Sequence, residues 1–439
     1  MRRAEPRGAD WSPEEYEAYI EKHQAWNFGA NLFDMTFFNL AMSFIFGSTV
    51  LSLYTSYLTR SAVLIGLIPA LQNVSFFWPQ LLLARRIERL PRKKDLLVKV
   101  SLVERLPYFF VALMALLWPS APRPVAYAVL ALCLTIASAA AGLGGPAWNA
   151  MLAKVIPPTR RGRLFGLSSA FGGVLGVAGA ALSSRILGTY PYPISFGLCF
   201  LLCFGAQILS YTGLALNREP PRAPTHEVPP AKEYWKRLPA VLRGHRNLRN
   251  YLVARSLIIL GGMATTFYVI YGRARFGMAD EAVASLTIVA LATQSITTPL
   301  FGLLADRRGN KLVAELACLF GIAGILLALA APSANWLIAV FVAINISSAA
   351  FMIMAMSMPL DFGTPEELPT LVALSNTILA LPILISPLIG GWLVDSVGYS
   401  ALFGVAAALS AAGWAVMHWA VRDPRQELQA VQQAEAPSP

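Results

Sequence analysis

Long apolar runs, separated by short polar segments, follow one another along nearly the whole chain. Runs of about 20 apolar residues are long enough to cross a bilayer as helices. The pattern predicts twelve spans, at 28–57, 62–84, 96–118, 124–150, 164–187, 193–216, 250–272, 282–304, 311–331, 335–359, 369–393 and 398–421. The runs are continuous and do not alternate between apolar and polar residues, which argues against a β-barrel. We therefore expect an all-α membrane protein.

The composition supports this class. Of 439 residues, 56% are hydrophobic and only 13% are charged, whereas roughly 25% are charged in an ordinary soluble domain. So few charges would not cover the surface of a soluble protein of this length.

The net charge of +11 is distributed unevenly among the polar connections. Connections that follow even-numbered spans carry about 21 Lys and Arg residues, against 5 on the opposite side. This asymmetry predicts that both termini are cytoplasmic, and we expect a bacterial inner-membrane protein. The basic residues then indicate how the chain is oriented in the membrane, and they attract anionic lipid headgroups. Nucleic-acid binding is not expected.

The polar segments divide the chain into five parts. We predict a cytoplasmic segment at 1–27 with an amphipathic helix near 12–24, because Ser12-Pro13-Glu14-Glu15 is typical of a helix start. Two six-helix bundles follow at 28–216 and 250–421. The Pro-rich stretch 217–249 is predicted to be a cytoplasmic linker, and 422–439 a disordered cytoplasmic tail.

The two predicted bundles resemble each other in sequence. A shift of about 207 positions aligns 151–169 with 358–376, and a shift of about 221 aligns the first two spans with spans 7 and 8. The latter shift pairs Asn73 with Gln294 and Asp34 with Arg255. We therefore expect two pseudo-symmetric bundles, with the substrate site near the membrane midplane between them.

The segment Gly302-Leu303-Leu304-Ala305-Asp306-Arg307-Arg308-Gly309-Asn310-Lys311 resembles the loop signature of the major facilitator superfamily. The first-half copy is degenerate, because Arg85 stands where the acidic residue is expected. The resemblance implies the fold of that family and a cytoplasmic gate held by charge pairs. The residues that it assigns to this gate are Gly302, Asp306, Arg307, Arg308, Gly309, Lys311, Glu315, Arg85, Arg86, Arg161 and Arg163. Glu315 is expected to pair with Arg307 or Arg308.

The resemblance also implies a secondary transporter that works by alternating access. We expect it to move a small solute as a monomer, with proton coupling, and we favour export over uptake. The alternative is a transporter-like sensor or scaffold that does not transport. No catalytic constellation is visible in the sequence, so we expect no enzyme activity, no cofactor and no metal.

Charge inside a membrane span is costly and is a candidate for function, and we single out Asp34, Glu104, Arg105 and Arg255 within the predicted spans. Asp34 shares one helix face with Asn27 and Asn31, and this polar stripe is expected to face water. Asp34 is a candidate for proton coupling or for an ion pair with Arg255, which alternatively extends to the lipid headgroups. Glu104 and Arg105 are neighbours in span 3, so each is expected to find a partner elsewhere.

Uncharged polar and aromatic residues near the predicted midplane are candidates for contacting the substrate, because such groups can bond to or stack on a solute. They are Asn31, Asn73, Trp148, Tyr268, Tyr271, Gln294, Asn345 and Asn376. Hydrogen bonding between helices is the alternative role for most of them.

Overall fold

The computed structural model describes residues 13–88, 90–221, 246–358, 362 and 368–423, with the backbone alone for 80–88. Its α-helices are α1 (Pro13–Phe44), α2 (Ser52–Leu58), α3 (Ala62–Glu88), α4 (Lys94–Leu117), α5 (Arg123–Val155), α6 (Pro158–Thr189), α7 (Ile194–Ala215), α8 (Arg246–Gly261), α9 (Tyr268–Phe276), α10 (Asp280–Arg308), α11 (Asn310–Ala330), α12 (Trp336–Ser357), α13 (Leu368–Ser396) and α14 (Tyr399–Ala420).

These helices form twelve candidate membrane spans in the described part of the chain, which confirms the predicted number. Span 1 combines α1 and α2, span 7 combines α8 and α9, and the other ten are single helices in chain order. Large apolar side chains are exposed on many of them, such as Leu132 (61%) and Val174 (71%). Such exposure suits contact with lipid and would be unfavourable in water.

Local sequence sets where several helices begin and end. Pro residues occupy the first turns of α5 and α6, where a missing N–H costs nothing. Gly277 ends α9 at φ +63, and Gly309 separates α10 from α11 at φ +89. Both values lie in the region that favours glycine.

Spans 1 and 7 are both interrupted past their midpoints. Span 1 contains a π-helical segment at Gly47–Leu51. Span 7 contains a 3-10 turn at Gly262–Ala264, before α9 starts at Tyr268. Glycine and β-branched residues cluster at both places, and they weaken a regular helix.

The chain divides into two compact units. Unit 1 contains the described residues of 1–46 and 71–228, and unit 2 contains those of 47–70 and 229–439. In unit 1, span 1 packs against spans 5 and 6, and span 3 against spans 4 and 6. In unit 2, span 7 packs against spans 11 and 12, and span 9 against spans 10 and 12. The same packing plan is thus built twice.

Three boundaries differ from the predicted ones. The amphipathic helix expected near 12–24 is not separate, because α1 runs without a break from Pro13 into span 1. The second bundle also includes 47–70, which the sequence analysis placed in the first bundle. Helix α8 already begins at Arg246, inside the predicted linker. Residues 222–245 of that linker and 424–439 of the predicted tail lie outside the described residues.

Each span crosses the bundle once, so its connections alternate between two sides. We call the side that carries the start of span 1 the near side. The side that carries the connection between spans 1 and 2 is the far side. If the amino terminus is cytoplasmic, as the basic residues predict, the far side faces outward.

Candidate functional site

An acid, a hydroxyl and a guanidinium from three spans meet inside unit 1. Ser210 in span 6 donates a hydrogen bond of 2.6 Å to Oδ1 of Asp34 in span 1. Nη2 of Arg105 in span 3 donates to Oγ of Ser210 over 3.0 Å and lies 4.0 Å from the same carboxylate oxygen. Asp34 is 6% exposed and Arg105 is 2% exposed. The structure therefore brings together two of the charges that the sequence singled out.

Backbone carbonyls fix the position of Arg105. Its Nε donates to the carbonyl of Gln207 over 2.8 Å, and its Nη1 donates to the carbonyl of Ser101 over 2.9 Å. Nη1 also lies 3.4 Å from Oε2 of Glu104. Arg105 thus finds partners on other spans, as expected, but its contact with Glu104 was not expected, because the two residues are neighbours on one helix. The long arginine side chain turns back along its helix and reaches the carboxylate of its neighbour.

The cluster is unbalanced in charge. Two carboxylates, Asp34 and Glu104, stand against one guanidinium. Within the described residues, Arg105 is the cation that lies within 4.0 Å of each carboxylate. An uncompensated charge in an apolar interior is costly, and it favours uptake of a proton or of a cation. The cluster is thus chemically able to take up and release one proton or one monovalent cation.

The polar stripe of span 1 ties this span to the end of span 6. Asn27 donates to the carbonyl of Arg218 over 3.1 Å and accepts from its backbone N–H over 2.8 Å. Asn31 donates to Oδ1 of Asn217 over 2.5 Å. Asn27, Asn31 and Asp34 are all buried. The expectation that the stripe faces water is therefore wrong, because the stripe is buried against the end of another span, where Oδ1 of Asn31 has no hydrogen-bond partner.

Trp148 and Asn73 were both predicted to line the substrate cavity. Trp148 in span 4 is half-buried and packs against an apolar core cluster of unit 1. Its ring also lies edge-on to that of Phe165, with centroids 6.5 Å apart. Asn73 occupies a half-buried position in span 2.

In unit 2, Arg255 is half-buried and has an aromatic partner. Its Nη1 donates to the hydroxyl of Tyr251, one turn earlier on the same helix, over 2.9 Å. The guanidinium carbon lies 5.9 Å from the centroid of that ring. Within its own unit, Asp34 has Arg105 as a partner and Arg255 has Tyr251, and a pair of Asp34 with Arg255 stays a prediction.

Two predicted substrate-contacting amides bond to each other in unit 2. Nε2 of Gln294 in span 8 donates to Oδ1 of Asn345 in span 10 over 2.7 Å. Asn345 in turn donates to the carbonyl of Phe341 over 2.8 Å. Asn345 is buried and Gln294 is half-buried. Gln294 and Asn345 thus bond spans 8 and 10 to each other, and the amide of Gln294 stays partly accessible.

The remaining candidates of unit 2 separate into a buried group and one exposed residue. Tyr268 stacks on Phe403 with centroids 5.4 Å apart, and Tyr271 lies edge-on to the same ring at 5.1 Å. Both tyrosines are buried, at 2% and 4% exposure, and they belong to an aromatic core. Asn376 in span 11 is exposed.

The predicted gate residues of unit 2 gather around Glu315. Lys311 approaches Oε1 of Glu315 to 3.7 Å, and Nδ1 of His418 in span 12 lies 3.2 Å from the same atom. Lys311 also donates to the carbonyl of His418 over 3.0 Å. Glu315 was expected to pair with Arg307 or Arg308, so this expectation is corrected.

The other gate candidates occupy the ends of spans on the near side. In the second half, Asp306, Arg307 and Arg308 are exposed, Gly302 is half-buried and Gly309 is buried. In the first half, Arg161 donates to the carbonyls of Ile156 and Ala153 over 3.0 and 2.7 Å, which caps the end of span 4. Arg163 is exposed. The side chains of Arg85 and Arg86 lie outside the described part.

Glu219 is a well-bonded residue that the sequence analysis missed. Its carboxylate accepts from the backbone N–H of Lys93 over 3.1 Å and of Lys94 over 2.7 Å, at the start of span 3. Nζ of Lys154 lies 2.9 Å away. An acid at a helix amino terminus is stabilising. The available signal was an acidic residue directly after the last apolar residues of span 6.

Span 6 also supplied partners that were not singled out. Gln207 and Ser210 are three positions apart and share a helix face in an otherwise apolar span. Polar pairs of this kind point toward a buried charge, which here is Arg105. The four cysteines are buried, and no metal-binding group of His, Cys, Asp or Glu occurs among the residues that the structure describes.

Comparisons with known proteins agree with this architecture. Residues 32–293 and 256–439 match the family model of the Major Facilitator Superfamily. A D-xylose-proton symporter has a similar structure, with a TM-score of 0.69, 13% identity, and coverage of 92% of this chain and 99% of that chain. The nucleoside transporter NupG gives 0.66 and 13%, with coverage of 89% and 98%.

A POT family transporter in complex with 5-aminolevulinic acid gives a TM-score of 0.65 at 10% identity, with coverage of 90% of this chain and 95% of that chain. Likeness at such identities concerns the fold. No curated protein sequence matches the chain. The family model nevertheless covers both bundles, and the fold agrees with it throughout. The chain is a multi-pass integral membrane protein that belongs to the major facilitator superfamily of transporters.

Proposed function

We propose that the protein moves a small solute across the membrane by alternating access, in a cycle coupled to protons. The observation that carries the proton coupling is the unbalanced cluster in unit 1, where Asp34 and Glu104 share the guanidinium of Arg105. A transporter needs a group that changes charge during its cycle. Intramembrane carboxylates are the usual groups for that role.

The net charge of the cluster suggests how many protons are coupled to one transport cycle. With both carboxylates ionised, the cluster carries a net charge of −1, and one added proton makes it neutral. Arg105 lies 4.0 Å from Asp34 and 3.4 Å from Glu104, so it is placed to favour whichever carboxylate remains ionised. Protonation of Asp34 would weaken its attraction to span 3. The contacts between spans 1, 3 and 6 would then respond to the proton.

The similar structures support the class of function. One of them is described as a proton symporter and another as a nucleoside transporter, which are functions of those proteins. For this chain we propose a small polar solute, with the half-buried amide of Gln294 as a contact. We further propose that the protein acts as a monomer in a bacterial inner membrane with both termini cytoplasmic. Export is the direction that the sequence favours.

Flux into proteoliposomes tests this proposal. A thermal-shift screen of purified protein first identifies a bound solute, and its uptake is then measured with and without an imposed pH gradient. With one proton per neutral solute, a gradient of one pH unit supports accumulation of about tenfold at most. Accumulation in the acidic lumen indicates exchange, and thus export in cells, whereas accumulation away from acid indicates symport.

Two variants make the test specific. Asp34→Asn should still equilibrate the solute but should no longer accumulate it against a gradient. Asp95→Asn removes an exposed carboxylate near the start of span 3 and should behave as the wild type. Gradient-driven accumulation by Asp34→Asn would refute the coupling role. A solute that binds without any flux would favour the alternative, a membrane sensor or scaffold.

A further inference from the structure

Unit 2 contains a cation, Arg255, that its own acids do not neutralise. Arg255 is the tenth residue of α8, so its Cα lies about 14 Å from the start of that helix. The acids in the described part of unit 2 lie at or near the ends of spans, and they are Asp280, Glu281, Asp306, Glu315, Asp395 and Asp423. None of these acids forms an ion pair with Arg255. Half-buried in its span, Arg255 thus carries a charge that unit 2 leaves without a counter-charge.

A neutral group holds the guanidinium of Arg255 on one side. Its Nη1 donates to the hydroxyl of Tyr251, which is fully buried in the apolar core of unit 2. A guanidinium has five N–H donors, and the others of Arg255 have no hydrogen-bond partner within the described part of the chain. Tyr251 lies one turn closer to the start of α8, so the side chain of Arg255 turns toward the near side with donors left for a ligand.

The face of span 7 that carries Arg255 is open, and the opposite face is apolar. Gly262 follows Arg255 by about two turns on the same face, is exposed, and would accept a Cβ atom without any contact within 4 Å. On the opposite face, Val253 is 49% exposed, as suits contact with lipid. Ionisable residues of membrane spans face a water-filled cavity or the interior of the bundle. The open face of Arg255 is therefore the one that a dissolved ligand can reach.

Asn376 on span 11 is a second exposed donor close to this face. Leu379, three positions later, shares its helix face and packs in the apolar core that also contains Tyr251 of span 7. Ser386 donates to the carbonyl of Ile259 over 2.9 Å, which sets the register of spans 11 and 7 at an offset of 127 residues. At this offset Asn376 lies between one and two turns from Arg255, in the direction in which the guanidinium points.

We infer that Arg255 and Asn376 form part of the solute site, and that the solute carries an oxyanion, a carboxylate or a phosphate group. A planar guanidinium donates two parallel N–H bonds to such a group, and an amide can donate a third. A bound anion would also compensate the charge that unit 2 leaves uncompensated. The inference rests on the proposed function, since it names the chemical class of the transported solute.

Labelling of arginines with phenylglyoxal tests the site at the residue itself. The reagent modifies guanidinium groups that water reaches, and mass spectrometry of peptides gives a labelling rate for each arginine. The full-length protein is placed in phosphatidylcholine nanodiscs, and inorganic phosphate or succinate is added at constant ionic strength. Occupancy of two thirds should slow the labelling of Arg255 about threefold. Arg249, an exposed arginine of the same helix, should keep its rate, and the neutral analogue succinamide should protect neither residue.

The thermal-shift screen of the purified protein supplies a second measurement. Solutes that stabilise the wild type should carry a carboxylate or a phosphate group. Arg255→Gln should weaken their binding about tenfold to hundredfold, as expected for loss of hydrogen bonds to a charged group. Asn376→Ala should weaken it about fivefold. Arg249→Gln removes the same formal charge from an exposed position of α8 and should bind as the wild type does.

The site is refuted if neither phosphate nor succinate protects Arg255, or if succinamide protects it equally well. Protection that requires phosphatidylglycerol in the nanodiscs, without any effect of the soluble anions, would assign the guanidinium to a lipid headgroup and would also refute the solute site. Stabilising solutes that are all neutral or cationic would contradict the oxyanion class.

The labelling involves no proton gradient, so its result does not depend on the coupling role of Asp34. Gradient-driven accumulation by Asp34→Asn, together with protection of Arg255 by anions, would overturn proton coupling and leave the oxyanion site standing. Loss of accumulation in Asp34→Asn without any protection of Arg255 would do the reverse.

Discussion

Removal of Arg105 should destabilise the protein far more than removal of another cation from the same helix. Arg105 is 2% exposed and bonds to two backbone carbonyls, one hydroxyl and one carboxylate. Loss of one partner from a buried charge network costs about 3–5 kcal/mol, because the remaining charges stay buried without compensation. We therefore expect Arg105→Gln to lower the free energy of unfolding by an amount in that range.

The matched control is Lys99→Gln, which removes the same formal charge from span 3 at an exposed position. Substitutions at such sites usually change stability by less than about 0.5 kcal/mol. Reversible unfolding of the purified protein in mixed micelles gives the free energies, with thermal unfolding as a second measurement. Activity is not needed, so the result does not depend on knowing the solute.

A double-mutant cycle then identifies the partner. If Arg105 compensates the charge of Asp34, Asp34→Asn/Arg105→Gln should lose less stability than the two single variants together, with a coupling of about 1–3 kcal/mol. Additive effects would show that the two side chains do not interact energetically, despite Ser210 between them. Equal losses for Arg105→Gln and Lys99→Gln would refute the reasoning from burial altogether.

Two further predictions concern helix packing and capping. Gly142→Ala should destabilise by about 1–3 kcal/mol, because the added methyl group would meet the carbonyl of Phe76 in span 2. Gly205→Ala, in span 6 with open space around it, should instead stabilise by about 0.5–1 kcal/mol; thermal unfolding compares the two variants, and equal effects would contradict the close approach of spans 2 and 4. Glu219→Gln should lower stability by about 1–3 kcal/mol through the loss of a charged cap and of the Lys154 pair, whereas Asp95→Asn should cost less than about 1 kcal/mol. Unfolding in mixed micelles measures this difference, and similar losses for the two variants would argue against the cap.

The twelve spans were predictable because each depends on a local run of apolar residues. The interruptions of spans 1 and 7 were not predicted, although Gly47 and the Gly261-Gly262 pair lie at them. Glycine is common in membrane helices, so a glycine alone does not indicate a break. The attachment of 47–70 to unit 2 was equally hidden, since it rests on contacts with residues more than 200 positions away.

The charge cluster was partly predictable. The cost of a charge inside a span was enough to single out Asp34, Glu104 and Arg105 from sequence alone. Their partners were not predictable in the same way, because the shift that relates the two halves suggested Arg255 as the partner of Asp34. A repeat relates positions that are equivalent in two bundles, and equivalent positions need not touch. The actual partner lies two spans away within the same bundle.

The repeat also helps to separate structural residues from functional ones. Asn247 lies 220 positions after Asn27, and it exchanges two hydrogen bonds with the backbone of Arg422, as Asn27 does with that of Arg218. This joint between the first and last span therefore occurs in both units and belongs to the fold.

The charge cluster does not recur in the same way. Spans 9 and 12, which correspond to spans 3 and 6, contain no charged residue over 316–330 and 399–417. Unit 2 nevertheless packs spans 7, 9 and 12 in the arrangement that unit 1 uses for spans 1, 3 and 6. Away from their ends, these three spans of unit 2 hold one charge, the half-buried Arg255, and no acid, so packing alone does not explain why unit 1 holds two acids and an arginine there. A buried group that the architecture does not require is best explained by function, which is why Asp34 and Arg105 are the first residues to test.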